Sequence, residues 1–360
     1  MKRSSRTFFS ALFSRSPFLE SSLFFFFGAR CLTGSLFSFF KNSLGALPFP
    51  FPDPQIPHTM AARPVHARTA STNLGGASSY RPLEGKLAIV TGASRGIGAA
   101  IAQNLASKGA SLVLNYTSDS SAQITQDLSD GLSAEYGITC LIVQADMGTQ
   151  TGPEHLITTV KNHFSHPKTG KFQIDILVNN AGVSKNQIIE ETTIENYEWT
   201  YRINVLGPLL LMKAALPYLP HDRSGRIVNL SSVSSSEGFS GQSVYGGSKA
   251  ALDAMTRTWA RELADRATVN SVNPGPVKTD MWNGTTAEFK ESLKPFIKKT
   301  PGSAIRDIDD DDLKAGAEAA GGRPAYTHEI AGIVGMLCTS DSVWCTGQVV
   351  CANGGMRMAM

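Results

Sequence analysis

Between Asn229 and Lys249 the chain reads NLSSVSSSEGFSGQSVYGGSK: eight serines, one tyrosine and, four residues past the tyrosine, a lysine. Serine-rich segments are ordinarily solvated loops, so any chemistry here has to come from spacing. Tyr245 and Lys249 stand at i and i+4 and share one face if the segment is helical. A free phenol has a pKa of about 10 and exchanges protons poorly near neutrality, whereas an ammonium beside it stabilises the phenolate. Such a pair suits a reaction that leaves an alkoxide. Hydride delivered to a carbonyl carbon does so, and the new oxyanion needs a proton donor within hydrogen-bond reach. Without further context the same spacing is an ordinary surface pair on a helix.

Elements able to position such a pair lie along the rest of the chain. KLAIV (Lys86–Val90) is a short apolar run rich in strand formers, and TGASRGIG follows it. Ala100, Ile101, Ala102, Leu105 and Ala106 then recur at mostly helical spacing up to Gly109. Gly92, Gly96 and Gly98 suit a sharp strand-to-helix turn in which backbone approaches a pyrophosphate, although their spacing is GxxxGxG rather than GxGxxG. The helix N-terminus adds unpaired amides and partial positive charge. Further apolar runs at Ser111–Tyr116, Thr139–Asp146, Ile174–Gly182, Gly225–Ser232, Ala267–Gly275 and Gly347–Gly355 read as buried strands, most of them separated by helical stretches. The pattern predicts an α/β fold: a Rossmann-like doubly wound parallel sheet with helices on both faces, in a single domain over residues 81–360. Ligands of such sheets bind beyond the carboxyl ends of the strands, where Asp146, Asn180, Ser232 and Pro274 fall.

Taken in order, TGASRGIG, NNAG, NVLG, the serine and YGGSK segment, NPGPVKTD and GQVVCANGG resemble the short-chain dehydrogenases/reductases over Leu83–Met360. Within that family the chain is similar to ketoacyl-carrier-protein reductases and to fungal polyhydroxynaphthalene reductases, which use NADPH. The resemblance selects one serine, Ser232, 13 residues before Tyr245, as the hydrogen-bond donor to the substrate oxygen. It implies that Lys249 also holds the nicotinamide ribose and that Asn204 organises water for a proton relay through the lysine. For the cofactor it implies the turn residues Gly92, Arg95, Gly96, Ile97 and Gly98, and a floor of Asn180, Ala181 and Gly182. Asp146 becomes the adenine-binding acid, its alternative being a helix N-cap; Val277 and Thr279 face the nicotinamide carboxamide, and Asn179 braces the sheet.

The implied reaction is NADP(H)-dependent reduction of a ketone or oxidation of a secondary alcohol, with Tyr245 as acid/base. A catalytically silent NADP-binding scaffold, or a dehydratase or epimerase of the same fold, stands as the alternative. The presence of all four of Asn204, Ser232, Tyr245 and Lys249 favours the enzyme. Family likeness also implies a homotetramer or homodimer packed through helices beginning near Asn196 and Ser243.

The end of the second strand bears on the cofactor. NAD-binding sheets place an acid there to hold both ribose hydroxyls, and its carboxylate would repel the 2′-phosphate of NADP. Here the strand closes with Asn115, Tyr116, Thr117 and Ser118, all neutral, while Arg95 in the glycine turn offers charge-assisted bonds to a phosphate. Asp119 is expected to point to solvent or to cap the next helix. The preferred cofactor is therefore NADP.

Composition excludes other classes. A net charge of +3 over 360 residues, with no basic stripe interleaved with aromatics, gives no nucleic-acid footprint. Five cysteines without CxxC or Cys/His pairing point to reduced thiols, no metal site and a cytoplasmic location. Residues 1–59 are Arg- and Ser-rich with few acids and end in a proline-rich stretch. They read either as a mitochondrial transit peptide or as an over-extended gene model with its true start at Met60, so residues 1–80 are set aside as a disordered N-terminal extension. No apolar run there reaches the roughly 20 residues of a membrane span. Near the other end, Lys278–Pro324 is longer than a connection needs and reads as a lid-like insertion, with Trp282 and Phe289 able to meet an apolar or aromatic substrate. Its acidic run, Asp307 and Asp309–Asp312, reads as a solvated turn.

Overall fold

Each of the seven apolar runs forms a strand: β1 (Leu87–Val90), β2 (Ser111–Tyr116), β3 (Cys140–Gln144), β4 (Ile176–Asn179), β5 (Gly225–Leu230), β6 (Ala267–Pro274) and β7 (Val349–Ala352). The computed structural model describes residues 81–358, and the expectations for residues 1–80 fall outside the described residues. The strands pair in parallel in the order β3-β2-β1-β4-β5-β6-β7. Sequence order reverses between β1 and β4, which makes the space beyond those two strand ends the crevice where open α/β sheets bind ligands.

Helices connect the strands: α1 (Gly96–Ser107), α2 (Ala122–Tyr136), α3 (Gly152–Phe164), α4 (Ile194–Tyr201), α5 (Gly207–Ala215), α6 (Ser234–Glu237), α7 (Ser243–Glu262), α8 (Asp280–Asn283), α9 (Ala287–Lys298), α10 (Asp311–Ala320) and α11 (Thr327–Leu337). Successive strand side chains point to opposite faces, and the core divides accordingly. Ala88, Val90, Leu112, Leu114, Ile176 and Val178 pack with Ile101 and Leu105 of α1 and Ile330 and Val334 of α11. Leu87, Ile89, Val113 and Leu177 join Leu156 and Val160 of α3, Leu211 of α5 and Trp259 of α7 on the other face. The near-continuous apolar strands are thus explained by cover on both sides.

Lys278–Pro324 is not one continuous loop: it holds the helices α8, α9 and α10 with connecting segments between them. Leu293 and Ile297, at i and i+4 on α9, bury with Val233 and Phe239 against Trp282, Phe289 and Met356, so the insertion carries an apolar cluster of its own. Nor is the acidic run uniformly solvated. Asp309 is buried and accepts hydrogen bonds from Arg306 N and Arg306 Nη2, both at 2.7 Å, with Arg323 Nε 3.6 Å away. Asp310, Asp311 and Asp312 are exposed, at the start of α10, where the helix dipole favours negative charge.

Among the described residues no helix is long and apolar enough to cross a membrane, and no group of histidine, cysteine or acidic side chains could hold a metal. Cys140, Cys338, Cys345 and Cys351 are free thiols.

Candidate active site

The turn after β1 is held open by its own geometry. Gly92 and Gly96 adopt φ of 61° and 58°, a left-handed conformation that favours glycine. A Cβ on Gly98 would collide with the Gly92 carbonyl and come within 2.6 Å of Asn180 Nδ2. Asn180 Nδ2 itself donates to Thr91 O (2.8 Å) and Gly92 O (3.1 Å), tying the end of β4 to the turn. Gly92, Arg95, Gly96, Ile97 and Gly98 line a cleft of about 370 Å³ together with Asn180, Ala181, Gly182, Tyr245 and Lys249.

The same cleft is lined by Tyr116, Thr117, Ser118 and Ser121, the last of them bonded to Arg95. Arg95 Nη2 donates to Ser121 Oγ at 3.0 Å, and the Ser118 and Ser121 hydroxyls are 3.2 Å apart. Asp119 turns to the surface, where it accepts from Gln144 Nε2 at 2.7 Å, as expected for a solvent-facing residue. Asn115 serves the turn rather than the cleft: its Oδ1 accepts Gly92 N at 3.3 Å while Nδ2 donates to Ala145 O at 2.9 Å. Ser121 and Asp280 were not singled out by the sequence. Asp280 Oδ2 lies 3.4 Å from Arg95 Nη1, and the pairing of two positions so far apart in the chain leaves no local signal.

Asp146 is placed differently. It is exposed just past β3, accepts Gly148 N at 2.8 Å and is absent from the cleft lining. It is not a helix N-cap either, because α3 starts at Gly152 and Thr149 Oγ1 accepts the Gly152 N–H at 2.9 Å. Val277 lines the adjoining pocket, and Thr279 lines both spaces while capping α8.

Tyr245 and Lys249 sit in the first turns of α7, both facing the cleft. Lys249 Nζ donates to Leu230 O at 2.7 Å and lies 5.9 Å from the centroid of the Tyr245 ring. Burial lowers the Lys249 pKa to about 8 against the opposing pull of Asp253, one turn further along the helix and bound to Ser271 Oγ at 2.5 Å. The Tyr245 phenol is pushed above its ordinary value by burial, and the Ser232 hydroxyl acts in the opposite direction. Ser232 lies just beyond β5, where Ser231 N and Val233 N still bond to Val272 O and Pro274 O at 2.9 Å, so ladder-like backbone bonds hold its backbone. Ser231 is otherwise engaged: its hydroxyl donates to Lys249 O at 3.1 Å.

Asn204 occupies a single widened turn, Arg202–Leu206, between α4 and α5. Such π-type turns recur at functional sites. Its Oδ1 accepts Val183 N at 2.9 Å, and Nδ2 donates to Val183 O and Ser248 Oγ at 2.9 and 3.0 Å. Ser248 Oγ in turn donates to Tyr245 O at 2.7 Å. A Cβ on Gly182 would stand 3.2 Å from Lys249 Nζ and 3.3 Å from Asn204 Oδ1, so glycine keeps the cleft floor clear there. A glycine cradle at a helix start, a guanidinium and hydroxyl cluster with one exposed carboxylate, Asp280, at its edge, and a bare floor beside a lysine together fit a phosphate-bearing dinucleotide.

On the far side of Tyr245 a second pocket of about 150 Å³ opens beneath the helical insertion. Ser184, Asn186, Ser232, Ser234 and Gln242 give it a polar side, while Phe239, Trp282, Phe289, Leu293 and Met356 give it an apolar one. Among the described residues, Tyr245 is the titratable side chain that lines both spaces.

A sequence profile described as short chain dehydrogenase matches residues 86–289. L-xylulose reductase of Aspergillus niger is 54% identical over 77% of this chain and 99% of its own length, and L-xylo-3-hexulose reductase of Hypocrea jecorina is 52% identical over 78% and 99%. Fungal hydroxynaphthalene reductases and reductase-like proteins are also similar, at 32–35% identity. Among solved structures, a blue fluorescent protein from a metagenomic library in complex with NADPH superposes with a TM-score of 0.64 at 33% identity, over 77% of this chain and all of that one.

Proposed function

The chain belongs to the short-chain dehydrogenase family and is an oxidoreductase, and on that premise we propose that it reduces a polyhydroxylated ketone with NADPH, using Tyr245 as the proton donor. One observation carries this reading: Tyr245 stands at the wall shared by the cradle that fits a dinucleotide and the pocket that would hold the ketone. The ketose class is supported by the two reductases that match this chain at more than half identity over nearly their whole length. NADPH, held by the glycine turn, Arg95, Thr117, Ser118 and the Asn180–Gly182 floor, supplies the hydride when bound.

The chain's own residues then manage charge and protons. Ser232 Oγ donates to the carbonyl oxygen and stabilises the negative charge that develops on it. The Tyr245 hydroxyl transfers its proton to the alkoxide. Lys249, protonated below pH about 8, holds its positive charge beside the resulting phenolate and makes the transfer less costly. Asn204 fixes the Val183 backbone and the Ser248 hydroxyl near the lysine and sets the place from which water returns the proton.

Exposed Ile194, Tyr197, Trp199, Leu206 and Leu209 on and between α4 and α5 support assembly as a homodimer or homotetramer. The free thiols fit a reducing compartment, the cytoplasm or, if residues 1–59 act as a transit peptide, the mitochondrion. The reading is tested by following NADPH absorbance with a panel of ketoses and simple aromatic ketones. Oxidation that depends on a ketose supports it; turnover of aromatic ketones alone would move the assignment toward the hydroxynaphthalene reductases.

A further inference from the structure

Buried polar atoms without a hydrogen-bond partner are costly, and each asks for an explanation. Among the described residues these atoms are Ser224 Oγ, Gln242 Oε1, Thr268 Oγ1, Asn273 Oδ1, Arg323 Nε and Asn353 Nδ2. Gln242 alone of these residues lines the pocket that also holds Ser232 and Tyr245. It immediately precedes α7 and stands three residues before Tyr245, about one helical turn away. Its side chain belongs to a residue only 9% exposed, so bulk water does not readily satisfy it.

The other end of the same amide is fixed. Gln242 Nε2 donates to Asn186 Oδ1 at 3.1 Å, which joins the segment before α7 to the loop after β4. That junction is braced on both sides: Gln187 N donates to Gly241 O at 2.8 Å, and Asn196 Nδ2 donates to Gln187 Oε1 at 2.6 Å. The main chain of Gln242 is held as well, through Gly246 N at 2.7 Å. The amide pair is therefore prepositioned, with one polar atom, Gln242 Oε1, left over on a residue that lines the pocket, whose apolar side is formed by Phe239, Trp282 and Phe289. A hydroxyl is the substituent best suited to that leftover atom. It donates to an amide oxygen and accepts from an amide nitrogen, so it satisfies the pair in either orientation of the two amides.

We propose that Gln242, oriented by Asn186, is the specificity determinant of this pocket, bonding a substrate hydroxyl within one or two carbons of the reacting carbonyl. The inference rests on the reading of the chain as a ketone reductase and names the residue that distinguishes a hydroxylated ketone from a plain one. A plain ketone would leave the buried amide end unpaired, and sites built to bond a hydroxyl reject analogues lacking it far more strongly than apolar pockets reject an extra group.

The test compares a ketopentose with pentan-2-one, which has the same carbon count and no hydroxyl groups. In Gln242→Met, which keeps the length and removes the amide, the ratio of kcat/KM for ketopentose over pentan-2-one falls at least about tenfold, the equivalent of one lost hydrogen bond. Gln242→Glu, which retains an acceptor, keeps more of the ratio than Gln242→Met does. Asn186→Ala, which frees the amide, lowers it by a smaller factor than Gln242→Met. A ratio within about twofold of the parent in both Gln242→Met and Asn186→Ala overturns the assignment. Binding of the corresponding pentitol to the NADP-loaded protein, followed by calorimetry, gives a readout independent of turnover. If the parent reduces neither ketone, the reductase reading fails, and the pentitol titration decides the pocket: about tenfold weaker binding in Gln242→Met supports the hydroxyl site, and unchanged binding overturns it.

Discussion

The Lys249 ammonium lies 5.9 Å from the centroid of the Tyr245 ring while donating to the Leu230 carbonyl, so it acts on the phenol through its field rather than by filling the phenol's place in the pocket. Its charge state is then the pH control of the site. With a pKa near 8, Lys249 loses its proton as pH rises through that value, and kcat/KM for ketone reduction falls over the same range. Asp253 holds the lysine pKa up, so Asp253→Asn moves the falling limb to lower pH. Stability has the opposite sign. Because the folded value lies below the unfolded 10.5, the unfolded chain binds more protons between pH about 8 and 10.5, and this group's contribution to stability rises with pH across that window. Initial rates and melting curves across pH 6 to 10.5 check both directions.

Arg95→Ala weakens NADPH binding by about 2 kcal/mol and NADH binding by much less, since the lost charge-assisted bonds go to the 2′-phosphate. Asp280→Ala acts in the other direction. Its carboxylate competes for the same guanidinium at 3.4 Å, so its removal tightens NADPH binding modestly. Titration of both cofactors against the parent and the two variants measures this; equal losses for NADPH and NADH in Arg95→Ala would remove the guanidinium from the phosphate site.

Gly182→Ala places a methyl 3.2 Å from Lys249 Nζ and 3.3 Å from Asn204 Oδ1. The lysine must shift by a few tenths of an ångström, and kcat falls about tenfold with little change in melting temperature. Steady-state kinetics beside a thermal melt separate that outcome from simple misfolding.

Leu209→Glu introduces a charge among the exposed apolar residues on and between α4 and α5. Light scattering at micromolar concentration is expected to give a dimer or tetramer for the parent and a smaller species for the variant. A monomeric parent would remove the proposed interface.

The strands were legible because burial on both faces leaves a run such as Leu112–Leu114 apolar without alternation, and the cleft was legible because its glycine turn is local in sequence. Tyr245 and Lys249 could be paired from spacing alone, since one helix carries both. Other features depend on long-range contacts. Asp309 reads as one acid in a solvated run until Arg306 and Arg323 fold around it. Asp280 reaches Arg95 across 185 residues, and the Gln242–Asn186 bond spans 56, so neither has a local pattern. Asn204 was found by resemblance, but the widened turn that places it has no signature in RINVL that spacing could expose. The placement of Asp146 away from the cleft lining likewise follows from how the chain turns after β3, where its carboxylate is taken by Gly148 N.

The central claim is that Tyr245 delivers the proton to the reduced carbonyl. Tyr245→Phe removes one hydroxyl and leaves the ring that lines both the cleft and the pocket. The measurement is kcat for the best ketose, in parent and variant proteins shown by titration to bind NADPH equally. A loss of about 10²- to 10⁴-fold, the worth of a positioned general acid, is the predicted result. A variant that binds NADPH normally and turns over within a few-fold of the parent would contradict it.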